Sequence, residues 1–283
     1  MTETKTKKSG SDLLLRIAAA AVLVPVALFA AWMGGLLFSL FIAVVGVIMA
    51  MEWTAMVARD NKYQQIIHIL AAITASFALF VPVSSPLKLE LAIIAMIWGL
   101  SVSRAINHGL NRWLFLGIPY IALPLLALVL LRNDAANGLS AIVLVFACVW
   151  TADTLAYFFG RTFGGPKLMP SVSPNKTWSG FFGAVIGGLI AAVLVFYFFG
   201  LNNLAAAAVI GAAIGGLEQG GDLYESAAKR KFGIKDSGTI IPGHGGVLDR
   251  VDGLLAAAVA AWLLGALHTG NWQTAATGLM VWP

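Results

Sequence analysis

Charged residues are scarce in this sequence, and their scarcity excludes an ordinary soluble protein. Only 11% of the 283 residues are Asp, Glu, Lys or Arg, whereas 59% are hydrophobic. A soluble domain carries about 25% charged residues, which separate its apolar interior from water. Because membrane lipid removes the need for that charged shell, the composition predicts an integral membrane protein.

Cysteine is almost absent as well. Cys148 is the single cysteine, which excludes an intramolecular disulfide and a zinc site made of several thiolates. It lies in the apolar run 143–149, where no polar neighbour favours the reactive thiolate. We therefore expect Cys148 to pack as a small hydrophobic residue.

The sequence has an excess of basic residues, with a net charge of +5. In a soluble protein such an excess suggests nucleic-acid binding. Here the basic residues fall at the ends of the apolar runs, where they determine membrane topology. We therefore expect no nucleic-acid partner.

Long apolar runs dominate the chain, and a helix needs about 20 apolar residues to cross the bilayer. The runs predict an all-α polytopic membrane protein with about nine transmembrane helices, although eight or ten remain open. The predicted spans lie near 13–33, 36–58, 64–82, 88–104, 112–131, 138–159, 180–200, 203–226 and 252–269.

The distribution of positive charge orients these helices. With the N-terminus in the cytoplasm, all of the 18 basic residues except Lys88 and Arg132 fall on the cytoplasmic side, as the positive-inside rule requires. Cytoplasmic loops are then expected near 160–179 and 227–251. The short loops favour a bacterial cytoplasmic membrane. A basic tail before the first run also fits a signal peptide, but the run is long for one, so we expect a retained helix.

The two parts of the chain differ in polarity. Residues 1–137 resemble an apolar scaffold of about five helices, and residues 138–283 resemble a catalytic membrane region. Glu52 is the only acid well inside a predicted span of the first part. Since it lies near a cytoplasmic helix end, we expect its side chain to extend towards water.

The second part places acids inside or beside its helices, at an insertion cost of about 2.5 kcal/mol or more for an acid at the bilayer centre. These acids are Asp153, Glu218, Asp222, Glu225 and Asp252. Glu218, Asp222 and Glu225 share one helix face, where like charges repel one another. Either a divalent ion compensates them, with oxygen ligands favouring Mg²⁺, or other helices satisfy a polar face turned inward.

Residues 229–253 combine three features suited to phosphate. A basic cluster offers positive charge, and the glycine-rich turn 242–246 lets backbone amides approach an anion closely. Asp249 and Asp252 then lie one turn apart at the start of the last predicted span. The cluster consists of Lys229, Arg230, Lys231 and Lys235. Together these features predict phosphate chemistry with a bound cation.

The loop within 150–180 is also rich in cations and hydrogen-bond donors. It suits a soluble anionic cosubstrate, although a solvated loop that only determines topology remains open. Its polar residues are Arg161, Lys167, Ser173, Asn175, Lys176 and Thr177.

The residues of both segments resemble the phosphatidate cytidylyltransferase family. One stretch matches its signature with Ser226, Lys229, Arg230, Lys235, Asp236, Pro242, His244, Gly245, Gly246, Asp249, Arg250 and Asp252. A second stretch is similar to the family at Asp153, Gly160, Arg161, Lys167, Leu168 and Ser173 to Thr177. The matches cover roughly the last half of the chain.

The resemblance implies a reaction and a set of roles. CTP and phosphatidic acid would give CDP-diacylglycerol and pyrophosphate, in a fold of about nine helices that is commonly dimeric. Asp222 and Asp249 would hold Mg²⁺, with or without K⁺, and Asp153 and Glu218 are further candidate ligands. The remaining catalytic candidates are Lys229, Arg230 and His244. The candidates for binding substrate phosphates are Lys167, Ser173, Lys176, Lys235, Gly245, Gly246 and Arg250.

In the implied mechanism, a phosphatidate oxygen attacks the α-phosphorus of CTP and pyrophosphate leaves. Because that phosphate is already ionised, no strong general base is needed, and the protein supplies positioning and charge neutralisation. His244 either protonates the leaving group or stabilises its turn. Arg250 is the candidate contact for the lipid phosphate.

Two other functions remain open on the sequence. A CTP-dependent kinase of a polyprenol or another lipid alcohol would share the nucleotide and the membrane but would release CDP. A cation-coupled secondary transporter would use the membrane acids as ion relays, and it would be expected to have two related halves. Here the polar residues are confined to one half, which favours an enzyme.

Overall fold

The computed structural model describes residues 4–58, 61–80, 97, 99–100, 102–104, 112–241 and 245–283. The predicted span 88–104 falls mostly outside the described residues, and so do His244 and Pro242 in the glycine-rich turn.

The described part of the chain is mostly helical. The elements are α1 Thr4–Met33, α2 Gly35–Val57, α3 Lys62–Phe77, α4 Arg112–Arg132, α5 Gly138–Phe163, α6 Trp178–Phe198, α7 Leu204–Lys231, α8 Leu248–Thr269 and α9 Ala275–Met280. Seven of them, α2 to α8, are long and apolar enough to cross a membrane, with Ala78–Phe80 extending α3 as a short 3₁₀ turn. In α1 the apolar part, Ala21–Met33, is shorter. A helical membrane protein is thereby confirmed, and the count of nine stays a prediction.

A small β-hairpin interrupts the helices and modifies the all-α prediction. Strands β1 (Lys167–Met169) and β2 (Ser173–Thr177) pair antiparallel, with Lys167 opposite Thr177. Helix α5 must end before them because Gly164 and Gly165 have φ values of 58° and 96°, which are left-handed conformations that glycine tolerates. The hairpin leads directly into α6, since the Thr177 hydroxyl accepts the Gly180 N–H at 3.1 Å and caps that helix.

Helices α5, α6 and α7 approach one another closely through glycines. A methyl group on Gly187 would lie 2.7 Å from the Thr151 carbonyl of α5, and one on Gly188 would overlap the Gly211 carbonyl of α7. Such contact between small residues is a common way to pack membrane helices. Cys148 is fully buried in this region, as expected of a small hydrophobic residue.

One end of the bundle is closed by the turn between α4 and α5. The Asp134 carboxylate accepts the Ala136 N–H at 3.0 Å, the Thr277 N–H at 2.8 Å and the Thr277 hydroxyl at 3.0 Å. These bonds join the turn to α9. The polar residues singled out in the sequence lie at the other end, where α7 ends and α8 begins.

Candidate active site

A lysine joins two carboxylates where α7 meets α8. Lys229 Nζ lies 2.6 Å from Glu225 Oε2 and 2.7 Å from Asp249 Oδ1. Glu225 is fully buried, and the Asp249 side chain is only 4% exposed. Glu225 and Lys229 lie four residues apart on one face of α7, so the lysine neutralises the charge of an acid on its own helix. Through Asp249 it also binds the first turn of α8.

Asp249 is also held by its own loop. Its Oδ2 accepts the Ser237 N–H at 2.8 Å, the Ser237 hydroxyl at 2.9 Å and the Gly246 N–H at 2.9 Å. Gly245, just before, has φ 86°. The glycine-rich turn therefore directs an amide at an anion, as its composition predicts, and in the structure that anion is the chain's own carboxylate.

A second lysine joins the β-hairpin to α7. Lys176 Nζ lies 2.7 Å from Asp222 Oδ2 and 2.9 Å from the side-chain oxygen of Gln219. Gln219 in turn donates to Glu218 Oε1 at 2.6 Å. Glu218 is fully buried, and its Oε2 has no hydrogen-bond partner among the described residues. Lysines thus compensate two of the three acids on the α7 stripe.

A polar cavity of about 490 Å³ lies beside the Lys176 cluster. Residues from α5, the hairpin, α6 and α7 line it, among them Asp153, Arg161, Asn175, Lys176 and Asp222. Cations, amide donors and carboxylates are thereby gathered around one space. Such a lining can receive a phosphate-bearing ligand, since it supplies positive charge while carboxylates remain for a metal.

An apolar groove of about 580 Å³ lies between α4, α7 and α8. Pro119 and Leu263 are part of its lining, and three further lining residues each directly precede an acid of α7 in the sequence, namely Leu217, Gly221 and Tyr224. The groove therefore reaches helix α7 from a different direction than the polar cavity.

The remaining acids act on this region electrostatically. Asp153 interacts with Asp222 and with the exposed Arg250, and Asp252 interacts with Asp222 and Asp153. The structure thus brings together acids of α5, α7 and α8 that are far apart in the sequence.

Magnesium can be tested against these residues by donor chemistry. Carboxylate oxygens are the ligands that Mg²⁺ prefers, and the unpartnered Glu218 Oε2 is the type of buried oxygen that a cation would satisfy. The described residues contain no group of three or more acidic, histidine or cysteine side chains close enough to hold a metal. The donor type therefore fits Mg²⁺, and a site among the described residues would have at most two such side chains as ligands.

The other predicted site residues are spread around the same end of the bundle. Arg230 Nε donates to the Val172 carbonyl of the hairpin at 3.3 Å. Lys167 and Ser173 lie on the hairpin strands without lining the polar cavity, and Lys235 is exposed. His244 lies outside the described residues.

The expectation for Glu52 is wrong. Its side chain does not extend to water, since the residue is 4% exposed and accepts the Val247 N–H at 2.9 Å and the Leu248 N–H at 2.8 Å. These donors at the start of α8 lie 195 and 196 residues further along the chain. No local pattern could have revealed the contact. Gln219 was also missed, although its position between two acids of the α7 stripe was a signal.

Comparison with known proteins identifies the family of the chain. The sequence pattern of the Cytidylyltransferase family matches residues 14–268. The chain belongs to the cytidylyltransferase family. The matched range of the cytidylyltransferase pattern contains both lysine clusters and the polar cavity, and it ends before helix α9.

Several bacterial relatives carry the name phosphatidate cytidylyltransferase. One from Brucella abortus is 40% identical over 262 residues, which cover 91% of this chain and 94% of the relative. One from Pseudomonas aeruginosa is 37% identical, covering 86% and 93%. One from Rickettsia bellii is 35% identical, covering 74% and 93%. The likeness extends over the first part of the chain, which the sequence motifs did not reach.

Proposed function

We propose that the chain is a phosphatidate cytidylyltransferase, which converts CTP and phosphatidic acid into CDP-diacylglycerol and pyrophosphate. The observation that carries this conclusion is the polar cavity in which Lys176 meets Asp222, in a chain 40% identical over nearly its whole length to a relative of that name. The cavity has the cations and carboxylates that transfer between phosphates requires.

The proposed setting is a bacterial cytoplasmic membrane, with about nine spanning helices and a cytoplasmic N-terminus. The bacterial relatives and the seven long apolar helices support it. Residues 138–283 would form the catalytic region, facing the cytoplasm, and 1–137 its scaffold. We further propose a homodimer, as the family resemblance implies. We propose no nucleic-acid partner, because the positions of the basic residues are explained by membrane topology.

Asp222 and Asp249 are the proposed ligands of Mg²⁺, with Asp153 and Glu218 as further candidates and K⁺ as an optional second ion. The unpartnered oxygen of Glu218 supports a cation beside α7. When bound, Mg²⁺ would neutralise negative charge on phosphate oxygens.

The two lysines give the triphosphate its proposed binding mode. In the structure Lys176 and Lys229 are held by carboxylates, and a triphosphate can replace those carboxylates because its oxygens are equally good acceptors. Arg230, at the hairpin, and Lys235, on the exposed loop, extend the positive surface. The remaining proposed contacts to the triphosphate are Lys167, Ser173 and the backbone amides of Gly245 and Gly246.

The reaction needs positioning more than proton transfer. A phosphatidate oxygen attacks the α-phosphorus of CTP, the bond to the bridging oxygen of the β-phosphate breaks, and that oxygen leaves with pyrophosphate. Because the attacking oxygen is already ionised, the chain's task is to align it and screen the charge. Arg250, beside Asp249, is the proposed contact for the lipid phosphate, and His244 either protonates the leaving group or stabilises its turn.

The test is an assay of detergent-purified protein with Mg²⁺, phosphatidic acid and CTP labelled at the α-phosphate. The proposal expects label in a lipid product and free pyrophosphate, both lost in Asp222→Asn. Asp134→Asn is the matched control, since it makes the same chemical change at the other end of the bundle. Label recovered in CDP would instead indicate a lipid kinase, and flux across vesicles without nucleotide turnover would indicate a transporter.

A further inference from the structure

Glu52 joins the two parts of the chain at this end of the bundle by hydrogen bonds. This acid lies on α2, in the apolar first part, and both of its oxygens accept backbone N–H groups at the start of α8. Oε1 accepts from Val247 at 2.9 Å and Oε2 from Leu248 at 2.8 Å. The first turn of α8 contains Asp249, so the bonds end next to a proposed metal ligand.

The same carboxylate also reaches Asp249 through a serine. The Ser237 hydroxyl lies 2.9 Å from Asp249 Oδ2 and 3.4 Å from Glu52 Oε2. Its single hydrogen favours the shorter contact. Glu52, Ser237 and Asp249 thus form one connected group, and a shift of Glu52 moves both the backbone and the side chain that orient Asp249.

Two glycines make room for the Glu52 carboxylate. A methyl group on Gly238 would lie 2.6 Å from Glu52 Oε1, and one on Gly246 would lie 2.7 Å from either carboxylate oxygen. Neither glycine has positive φ, so conformation alone does not require glycine there. The absence of both side chains is instead explained by the close approach of Glu52, and at Gly246 by the Ser237 hydroxyl as well.

The charge of Glu52 is balanced by backbone rather than by a cation. Among the residues that the structure describes, no ion pair includes Glu52. Its partners are N–H groups at the N-terminus of α8, where the helix dipole favours negative charge. A buried carboxylate held in this way is a fixed anchor, because its two closest donors belong to the main chain.

We propose that Glu52 is a positioning residue of the reaction: it fixes the start of α8 and the neighbouring residues 237–238, and through them the orientation of Asp249. The inference rests on the proposed function. In this proposal Glu52 does not contact the substrate or the reacting atoms. It acts by holding Asp249, because a displacement of about 1 Å in such a group can lower the rate roughly 100-fold.

The test compares Glu52→Gln and Glu52→Ala with Thr54→Val, a matched control on the same helix. Thr54 is buried and donates to the Ala50 carbonyl of its own helix, so its loss removes a buried polar contact that does not reach the site. We expect kcat to fall about 10-fold in Glu52→Gln and about 100-fold in Glu52→Ala, with the KM for CTP nearly constant. Thr54→Val should keep the wild-type kcat.

Limited trypsin digestion gives a readout that does not depend on activity. Cleavage after the exposed Lys235 requires the loop to open locally. We expect faster cleavage there in both Glu52 variants and unchanged cleavage in Thr54→Val. A thermal melt in the same detergent reports global stability, so that kcat is calculated per folded molecule.

A double-mutant cycle tests the contact itself. The methyl group of Gly238→Ala displaces the Glu52 carboxylate and should lower kcat in the wild-type background. In Glu52→Ala that carboxylate is absent, so Gly238→Ala should cause no further loss of kcat. Additive losses would overturn the proposal. So would a wild-type kcat in Glu52→Gln, which keeps the shape of the side chain and remains informative if Glu52→Ala does not fold.

The two proposals can fail separately. If the wild-type protein makes no CDP-diacylglycerol, the proposed function is wrong and so is the positioning role of Glu52, even if its variants speed cleavage after Lys235. If the wild-type protein is active while the Glu52 variants lose only thermal stability, the function stands and Glu52 is merely structural.

Discussion

Asp134 and Asp249 lie at opposite ends of the bundle and are held in similar ways, with one difference. Asp134 accepts four hydrogen bonds, from the N–H groups of Ala136, Asn137 and Thr277 and from the Thr277 hydroxyl. Asp249 accepts three such bonds on Oδ2 and has Lys229 on Oδ1. Among the described residues, no ion pair includes Asp134.

Under the proposed function, this difference distinguishes a carboxylate that stabilises the fold, Asp134, from one that serves the reaction, Asp249. Neutral donors are enough to hold the Asp134 carboxylate, so an ammonium group is not required to fix such a side chain in this protein. The lysines on Asp222 and Asp249 add a cation to each carboxylate, and under the proposed function a phosphate takes over that cation. Glu52 belongs structurally with Asp134, although it lies at the end of the bundle where Asp249 lies.

The largest effect is expected from Asp249→Asn. Asn keeps the shape but removes the charge that holds Lys229 and that a cation would need, so we expect activity to fall about 100-fold or more. The measurement is the rate of labelled lipid formation at saturating CTP and Mg²⁺. A similar loss in Asp134→Asn, measured per folded molecule, would remove the distinction between the two ends.

A smaller effect is expected from Lys176→Met, which removes a cation of the polar cavity. Since hydrogen bonds to charged groups contribute about 1.5–3 kcal/mol, we expect the KM for CTP to rise roughly 10- to 100-fold. Initial rates over a range of CTP concentrations provide the measurement. Lys62→Met, at the exposed start of α3, is the matched control, and an equal rise there would mean that general positive charge rather than the cavity binds the nucleotide.

The smallest effect on activity is expected from Asp134→Asn. The change weakens bonds that join the α4–α5 turn to α9, and we expect about 1–3 kcal/mol of lost stability. A thermal melt in detergent should show a lower midpoint, while kcat per folded molecule stays at the wild-type value. A preserved midpoint together with reduced kcat would indicate coupling between the ends that the structure does not explain.

The sequence predicted the membrane class and the chemistry well, because both depend on local patterns. The lengths of the apolar runs indicate α2 to α8, and the clustered acids and cations of 218–253 point to phosphate transfer. The hairpin was missed because its strands are only three and five residues long, which is too short for a clear alternation of polar and apolar residues.

The contacts between distant segments could not be predicted in this way. The stripe on α7 indicated a compensating charge, but Lys176 comes from a hairpin 43 residues before Gln219, so spacing within the helix could not reveal it. Glu52 shows the same limit more strongly. Its position near a helix end favoured contact with water, and only the fold shows that the start of α8 takes the place of that water.

The bond between Glu52 and α8 also has a consequence for the biosynthesis of the protein. A ribosome makes α2 early, and the donors at Val247 and Leu248 emerge only after 195 more residues have been added. Until then the Glu52 carboxyl group needs another partner or a proton, because a bare charge in lipid is costly. This end of the molecule is therefore completed late, when α8 enters the membrane and its first N–H groups reach Glu52.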